Sequence, residues 1–283
     1  MAKTILGSVT SWGSSPSIEN HLITAGISPY AVKISQTTGT SDVTAFSSSG
    51  TVFSSMAPGI RSWSGSMSGR YKRGAARHGT GSALLTFTGS ASNALPVATV
   101  FGYSLSMAAP AFDSTTMSTT ELKDSEFTPG LWTWSITMQA FLDDAVALPN
   151  TDAGSVWLGT NSAIVLKVSE DGATDNTIGG ACIITGYEYG NAIGGLGTAN
   201  VTVQGTAGLT VVGANNILPA ATLIAPTAGA LVVRHSTGTN YLNAEGSAFL
   251  TGLTLSVPSP GALIDVSSTF QGTGALTQTL FVP

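Results

Sequence analysis

The side chains that most often carry out chemistry are sparse in this sequence, and their spacing is wrong for it. His21, His78 and His235 are the only histidines. None sits in a spacing such as HExxH, which sets two imidazoles on one helix face to hold a metal. The stretch DGATDN at 171–176 carries carboxylates but lacks the alternation and closing glutamate of a calcium loop, so it reads as an ordinary turn. Asp143 and Asp144 are adjacent and point different ways on a strand or a helix, which makes them a poor acid/base pair. GTGS at 79–82 and GGLG at 194–197 have no flanking strand and helix to make a dinucleotide loop. With Cys182 as the single cysteine, an intrachain disulfide and a cysteine-based metal site are both excluded. The expectation is no catalytic residue, no metal and no cofactor. Trp63 and Trp134 could stack on sugars or bases, but a setting on apolar strands favours a place in the core.

The elements that carry those tryptophans are written twice. PGIRSWSGSM at 58–67 returns as PGLWTWSITM at 129–138, a shift of 71 that also aligns Ser35 with Ser106, Asp42 with Asp113 and Met67 with Met138. Pro58, Gly59 and Trp63, matched by Pro129, Gly130 and Trp134, form a repeated core and turn motif. A second repeat lies downstream. Residues 163–210 resemble 230–277, each with an apolar strand ending in Lys167 or Arg234, then Gly-x-x-x-x-Thr-Gly, then Gln-Gly-Thr at 204–206 or 271–273. The halves therefore run A, A′, B, B′. Nesting explains this order: an inserted β domain at 93–212 sits inside a discontinuous one made of 1–92 plus 213–283. Crossed pairing of the halves would need two long connections that pass each other.

Local signals are mostly β. Segments such as AVKIS, TWSITMQAF, AIVLKVS, ACIITGYEY and AFLTGLTLSV alternate or run apolar and β-branched between Gly, Pro, Asn and Asp clusters. Short helices are expected at 143–153 and 215–225, with Ser118-x-x-Glu121 as a possible cap for another turn. The fold class is mainly β, with two antiparallel β-sandwich or barrel domains that each bear a short helix. Segments 1–28 and 70–90 are rich in Gly, Ser and Ala and read as arms with little core of their own.

Charge narrows the function classes. Asp, Glu, Lys and Arg make up 9% of the 283 residues, against about 25% in an average soluble protein. Ser, Thr and Gly replace them, a surface suited to contact with copies of itself. A net charge of -5 leaves no general footprint for nucleic acid. The opening residues lack a signal-peptide core and no window is long enough for an apolar membrane span, so synthesis in a cytoplasm is expected, without a membrane partner. Four of the ten basic residues, Arg70, Lys72, Arg73 and Arg77, crowd into GRYKRGAARHG, and the 71-residue shift sets Asp143 and Asp144 opposite Lys72 and Arg73. Such a sign reversal at matched positions marks candidate contacts between subunits.

SDVTAF with its Gly-containing turn, PGIRSWSGSMSG, and GGACIITGYEYG followed by GGLGTANVTVQGTAGL are together similar to the major tail tube proteins of long-tailed bacteriophages. The second copy departs from that pattern at Ser114, in place of Val43, and at Ile136, in place of Gly65. The resemblance implies a structural virion protein. Its domains would form rings of six, here from three copies with pseudo-sixfold symmetry, and the rings would stack into a tube that conducts DNA without binding it. Partners would be other copies and other tail proteins. A carbohydrate-binding or adhesin-like β-sandwich is the alternative, since such modules share the Ser, Thr and Gly bias.

Overall fold

A computed structural model describes residues 6–8, 27–43, 56–73, 77–78, 82–87, 99–116, 124–141, 159, 161–169, 176–190, 197–212, 229–236, 241–259 and 263–281. The strands are β1 (Leu6–Ser8), β2 (Ile27–Asp42), β3 (Met56–Arg73), β4 (Arg77–His78) and β5 (Ser82–Phe87). They continue with β6 (Thr99–Ala108), β7 (Ala111–Asp113), β8 (Phe127–Pro129), β9 (Thr133–Phe141), β10 (Asn161–Ser169) and β11 (Asn176–Gly190). The last are β12 (Thr198–Gly205), β13 (Thr210–Val212), β14 (Gly229–Ser236), β15 (Tyr241–Val257) and β16 (Asp265–Phe281). The described chain is thus mainly β. Both expected helices, 143–153 and 215–225, and the Ser118–Glu121 cap fall outside the described residues.

One large antiparallel sheet holds most of the strands, in the order β2-β3-β16-β15-β6-β9-β12-β11-β10-β5, with β14 and then β1 added beside β15. Two arrays within it have the same succession. One is β2-β3-β16-β15-β14-β1 and the other β6-β9-β12-β11-β10-β5. Even the double use of β16 recurs: its first part pairs with β3 and its last with the start of β15, as β12 pairs with β9 and β13 with the start of β11. The arrays meet where the second half of β15 pairs with β6, Gly252 opposite Ala108 through Val257 opposite Tyr103.

Two segments that read as coreless arms supply strands to this sheet. In 1–28, β1 pairs with β14; in 70–90, β5 pairs with β10, Leu84 opposite Val165. Their composition hid this, because SALLTF is short and lies among Gly and Ser. Pro58 and Gly59 likewise sit within β3 rather than in a turn before it, at a bulge opposite Thr38 and Thr40. There the backbone of Gly39 approaches so closely that a Cβ on Gly59 would lie 3.0 Å from its carbonyl oxygen. Proline is tolerated on such an irregular stretch because no regular ladder bond is lost.

Alternation explains the layers. In β9, Trp134, Ile136 and Met138 are buried while Thr133, Thr137 and Gln139 are exposed, and β6, β12 and β15 repeat the rule with Leu105, Val203 and Leu255 inside. Period 2 puts every apolar side chain of a strand on one face, so a one-residue slip would turn them all to water. Each array is anchored by an indole laid on glycine. A Cβ on Gly272 would fall inside the Trp63 ring, and one on Gly205 inside the Trp134 ring. Trp63 Nε1 donates to the Gly274 carbonyl at 3.1 Å and Trp134 Nε1 to that of Ala207 at 2.6 Å. Gln271 and Gln204 each return an amide N–H to the carbonyl of the same tryptophan, at 2.9 and 2.7 Å. The two repeated sequence motifs are therefore the two halves of one contact. Burying an indole this way contributes on the order of 4–6 kcal/mol of gross transfer free energy.

The two arrays differ where volume is traded. Gly65 stands opposite Phe270, whose ring occupies the space a Cβ would take, while the matching positions hold Ile136 opposite Val203. Small against large in one array becomes medium against medium in the other. The departure at Ile136 is thus compensated across the strand pair, and Phe270 packs edge-on to Trp63 with centroids 6.5 Å apart.

Candidate functional site

With the apolar side chains on one face, the other face of the sheet is a surface of hydroxyls and amides. Its rows follow from the register: Lys33, Ser35 and Thr37 on β2 lie beside Ser66, Ser64 and Ser62 on β3. Next come Ser267 and Thr269 on β16, Thr254 and Ser256 on β15, and Ser104 and Ser106 on β6. Ser135, Thr137 and Gln139 on β9, then Gln204, Thr202 and Asn200 on β12, carry the pattern to Glu188 on β11. Hydroxyls satisfy one another across strands. Thr37 and Ser62 are 2.9 Å apart, and Thr251 donates to Thr269 at 3.1 Å.

Charge is rare in these rows. Arg70 and Asp265, opposite each other on β3 and β16, form an ion pair at 3.5 Å with both side chains about half exposed. Such a pair contributes at most about 1 kcal/mol and leaves the face neutral locally. Lys33 at one end and Glu188 at the other are exposed. A wide, neutral, hydrogen-bonding face offers phosphate no concentrated attraction, and its hydroxyls exchange partners with water at little cost.

A second contact ties the two arrays together. Arg61 on β3 holds Asp124 with two bonds, Nε to Oδ1 at 3.0 Å and Nη2 to Oδ2 at 3.1 Å. Ser125 N donates to the Arg61 carbonyl at 2.7 Å, and Phe127 N to Thr273 Oγ1 at 3.1 Å. The segment before β9 thereby crosses onto β3 and β16. Sequence reasoning missed Arg61 and Asp124. The signal was available in a chain so short of charge, but their partnership needs the crossing to be known.

Of the charges picked from sequence, Arg70 meets Asp265 within the chain. Lys72 and Arg73 lie at the end of β3, opposite His78 and Arg77 of β4, while Asp143 and Asp144 lie outside the described residues. Trp63 and Trp134 are 3% and 5% exposed, so neither offers a ring face to a sugar or base. Pro129 closes β8, and Gly130 follows it beneath Phe112 and Pro110. His78 and His235 belong to β4 and β14; His21 is outside the described residues. Burial pushes the Cys182 thiol up to about 11 and raises the Tyr103 phenol as well. Exposed Asp113 is held below its usual range by the Thr115 hydroxyl and backbone N–H.

No family model matches the chain, and no curated protein matches it. Solved structures similar to it include the tail of an empty GTA particle computed with helical refinement in C6 symmetry, 16% identical with TM-score 0.33 over 46% of this chain and 95% of that one. The SPP1 tail tube, from solid-state NMR and cryo EM, is 16% identical with TM-score 0.34 over 50% of this chain and 80% of that one. The virion of a native gene transfer agent particle is 16% identical with TM-score 0.31 over 46% and 95%.

Proposed function

We propose that this chain is a structural subunit of a phage tail tube. The observation that carries the reading is the neutral hydroxyl face running from β2 to β11, a surface along which a polyanion slides without capture. Turned inward, it lines a conduit for DNA ejection. Three copies close one ring with pseudo-sixfold symmetry, and rings stack into the tube within the virion tail, joined at its ends by other tail proteins. Synthesis takes place in the host cytoplasm. The subunit has no catalytic task.

The chain comprises two related domains, one nested in the other, 1–92 plus 213–283 around 93–212. The matched strand successions and the Trp63–Gly272 and Trp134–Gly205 contacts support this pairing. One bound shifts from that division: β5 pairs with β10 of the inserted domain, which favours starting the inserted domain ahead of Ser82 rather than at 93. Stacking has its own candidate surface. Val43, Met56, Ile60, Phe112 and Leu131 are large, exposed and apolar, and all lie at the β2–β3 and β6–β9 turn ends of the arrays. Lys72 and Arg73 of one domain facing Asp143 and Asp144 of another add a salt-sensitive contact between unlike domains.

Electron microscopy of the purified protein tests the reading. Rings and tubes are expected, and Leu131→Asp should leave rings but shorten tubes. A wild-type protein that stays small and disperse at high concentration overturns it.

A further inference from the structure

Within the chain, the first array ends in a joint: the β15 edge beyond β14 pairs with β6 of the second array, Gly252 to Val257 against Ala108 to Tyr103. The second array has the counterpart of that edge. β11 pairs with β10 only as far as Ile183, and among the described residues no strand lies beside its stretch from Gly186 to Gly190 on that side. The counterpart of β6 is β2, which pairs with β3 and, among the described residues, with no strand on its other edge. Long open edges of this kind are templates for another strand. One chain thus carries both halves of a joint that it uses only once.

The position matching Arg61 tells the same story. Arg61 is capped by Asp124 from the other array, whereas its equivalent, Trp132, is half-buried and its Nε1 meets no acceptor among the described residues. Val32 and Ile34 are only partly buried, while their equivalents Tyr103 and Leu105, covered by β15, are 4% and 0% exposed. The β2 side is built like β6 and lacks its cover.

Resting on the tube reading, we infer that a second copy completes the joint: its β2 pairs antiparallel with β11 of the first, Thr37 opposite Gly186 through Lys33 opposite Gly190. The register is fixed by carrying the β15–β6 pairs through the repeat offsets, since Gly252 matches Gly186 and Ala108 matches Thr37. This sets Glu188 opposite Ser35 and diagonal to Lys33 on the same face, where long side chains of opposite charge reach each other. The internal joint carries only Ser and Thr at those places, Thr254, Ser256, Ser104 and Ser106. The charge pair therefore distinguishes the joint between chains from the joint within one. Because the two surfaces differ, each copy offers one of each, and the contact propagates head to tail.

Cysteine pairs test the register. Ser35→Cys with Glu188→Cys, oxidised or bridged by a short bis-maleimide in assembled protein, should give a ladder of linked chains on a denaturing gel, and mixing the two single variants should give linked dimers. Ala31→Cys with Glu188→Cys is the control, since four residues of offset separate those atoms by about 13 Å, beyond the reach of a disulfide. The native Cys182 is buried and stays out of the reaction. As a second arm, Lys33→Glu or Glu188→Lys alone should slow assembly several-fold at low salt, and the two together should restore it. Tubes that form without linkage at 35/188, or with equal linkage at 31/188, overturn this joint and leave the tube reading standing. Wild-type protein that does not assemble, together with cysteine variants that do not link, overturns both.

Discussion

Each anchoring indole is specified by the glycine beneath it as much as by its own ring. Gly272→Ala places a methyl within the Trp63 ring and Gly205→Ala does the same to Trp134, so each should lower stability by about 3–5 kcal/mol, the range of losing a large core side chain. Chemical denaturation of the purified chain measures it. The pair at Gly65 and Phe270 makes a sharper test. Gly65→Ile has no room and Phe270→Val leaves a cavity, so both singles should destabilise. The double variant imports the Ile136–Val203 solution and should recover part of the loss, a favourable coupling that additive effects would not give; the rest stays because a Cβ on Gly65 also meets the Lys33 carbonyl at 2.6 Å, which Phe270→Val does not move. Cys182 supplies a pH effect of known sign. Burial pushes its folded thiol up from an ordinary 9.0 to about 11, so between those values the folded state keeps a proton that the unfolded state has lost. Stability should be intact below pH 9 and fall as pH rises toward 11, with Tyr103 acting in the same direction. Urea midpoints across that window should drop less steeply for Cys182→Ala than for the parent chain.

Among the elements, β2 and β6 are equivalents in different situations. β6 lies between β9 and β15, while β2 has a partner on one side only. In the unassembled chain, amides of Val32–Thr37 that point to the open edge should exchange within the time of local fraying, and those of Tyr103–Ala108 should be protected as part of the central sheet. On assembly the β2 amides should slow to match. Equal protection of both strands before assembly would show that β2 is already covered. Strands such as β9, β10 and β15 were legible in the sequence because apolar residues alternate there over many positions, and both repeats were legible from Trp, Pro-Gly and Gln-Gly-Thr alone. What composition concealed was partnership. β1 and β5 are too short and too rich in neighbouring Gly and Ser to declare themselves, and they become strands because β14 and β10 present edges to them. The hydroxyl face was spread over seven strands, each contributing two or three residues that look ordinary in isolation, with Glu188 of β11 at its end. Only the register brings them into one surface.

At the scale of the whole molecule, a chain with 15 acidic and 10 basic residues keeps its hydroxyl face nearly free of either. A channel for DNA must repel weakly and bind not at all. Cations on the wall would condense phosphate and release counterions, making binding tight and salt-dependent, whereas Ser and Thr exchange hydrogen bonds with water at small net cost. On the tube reading, replacing two of these residues with arginine, Thr137→Arg and Thr254→Arg, should turn a face that lets DNA pass into one that retains it. Both positions lie mid-face on β9 and β15, away from the glycine-bound indoles, so the fold should survive the change. Each phosphate neutralised should steepen the fall of log affinity with log salt by about 0.9. Because the substitution recurs in every subunit, retention of DNA should grow with tube length. Co-sedimentation of duplex DNA with assembled protein is the measurement. Parent tubes should leave DNA in the supernatant even at low salt, and the arginine variant should carry it down at low salt and release it as salt rises. Parent tubes that retain DNA as strongly as the variant would mean that some other surface faces the channel.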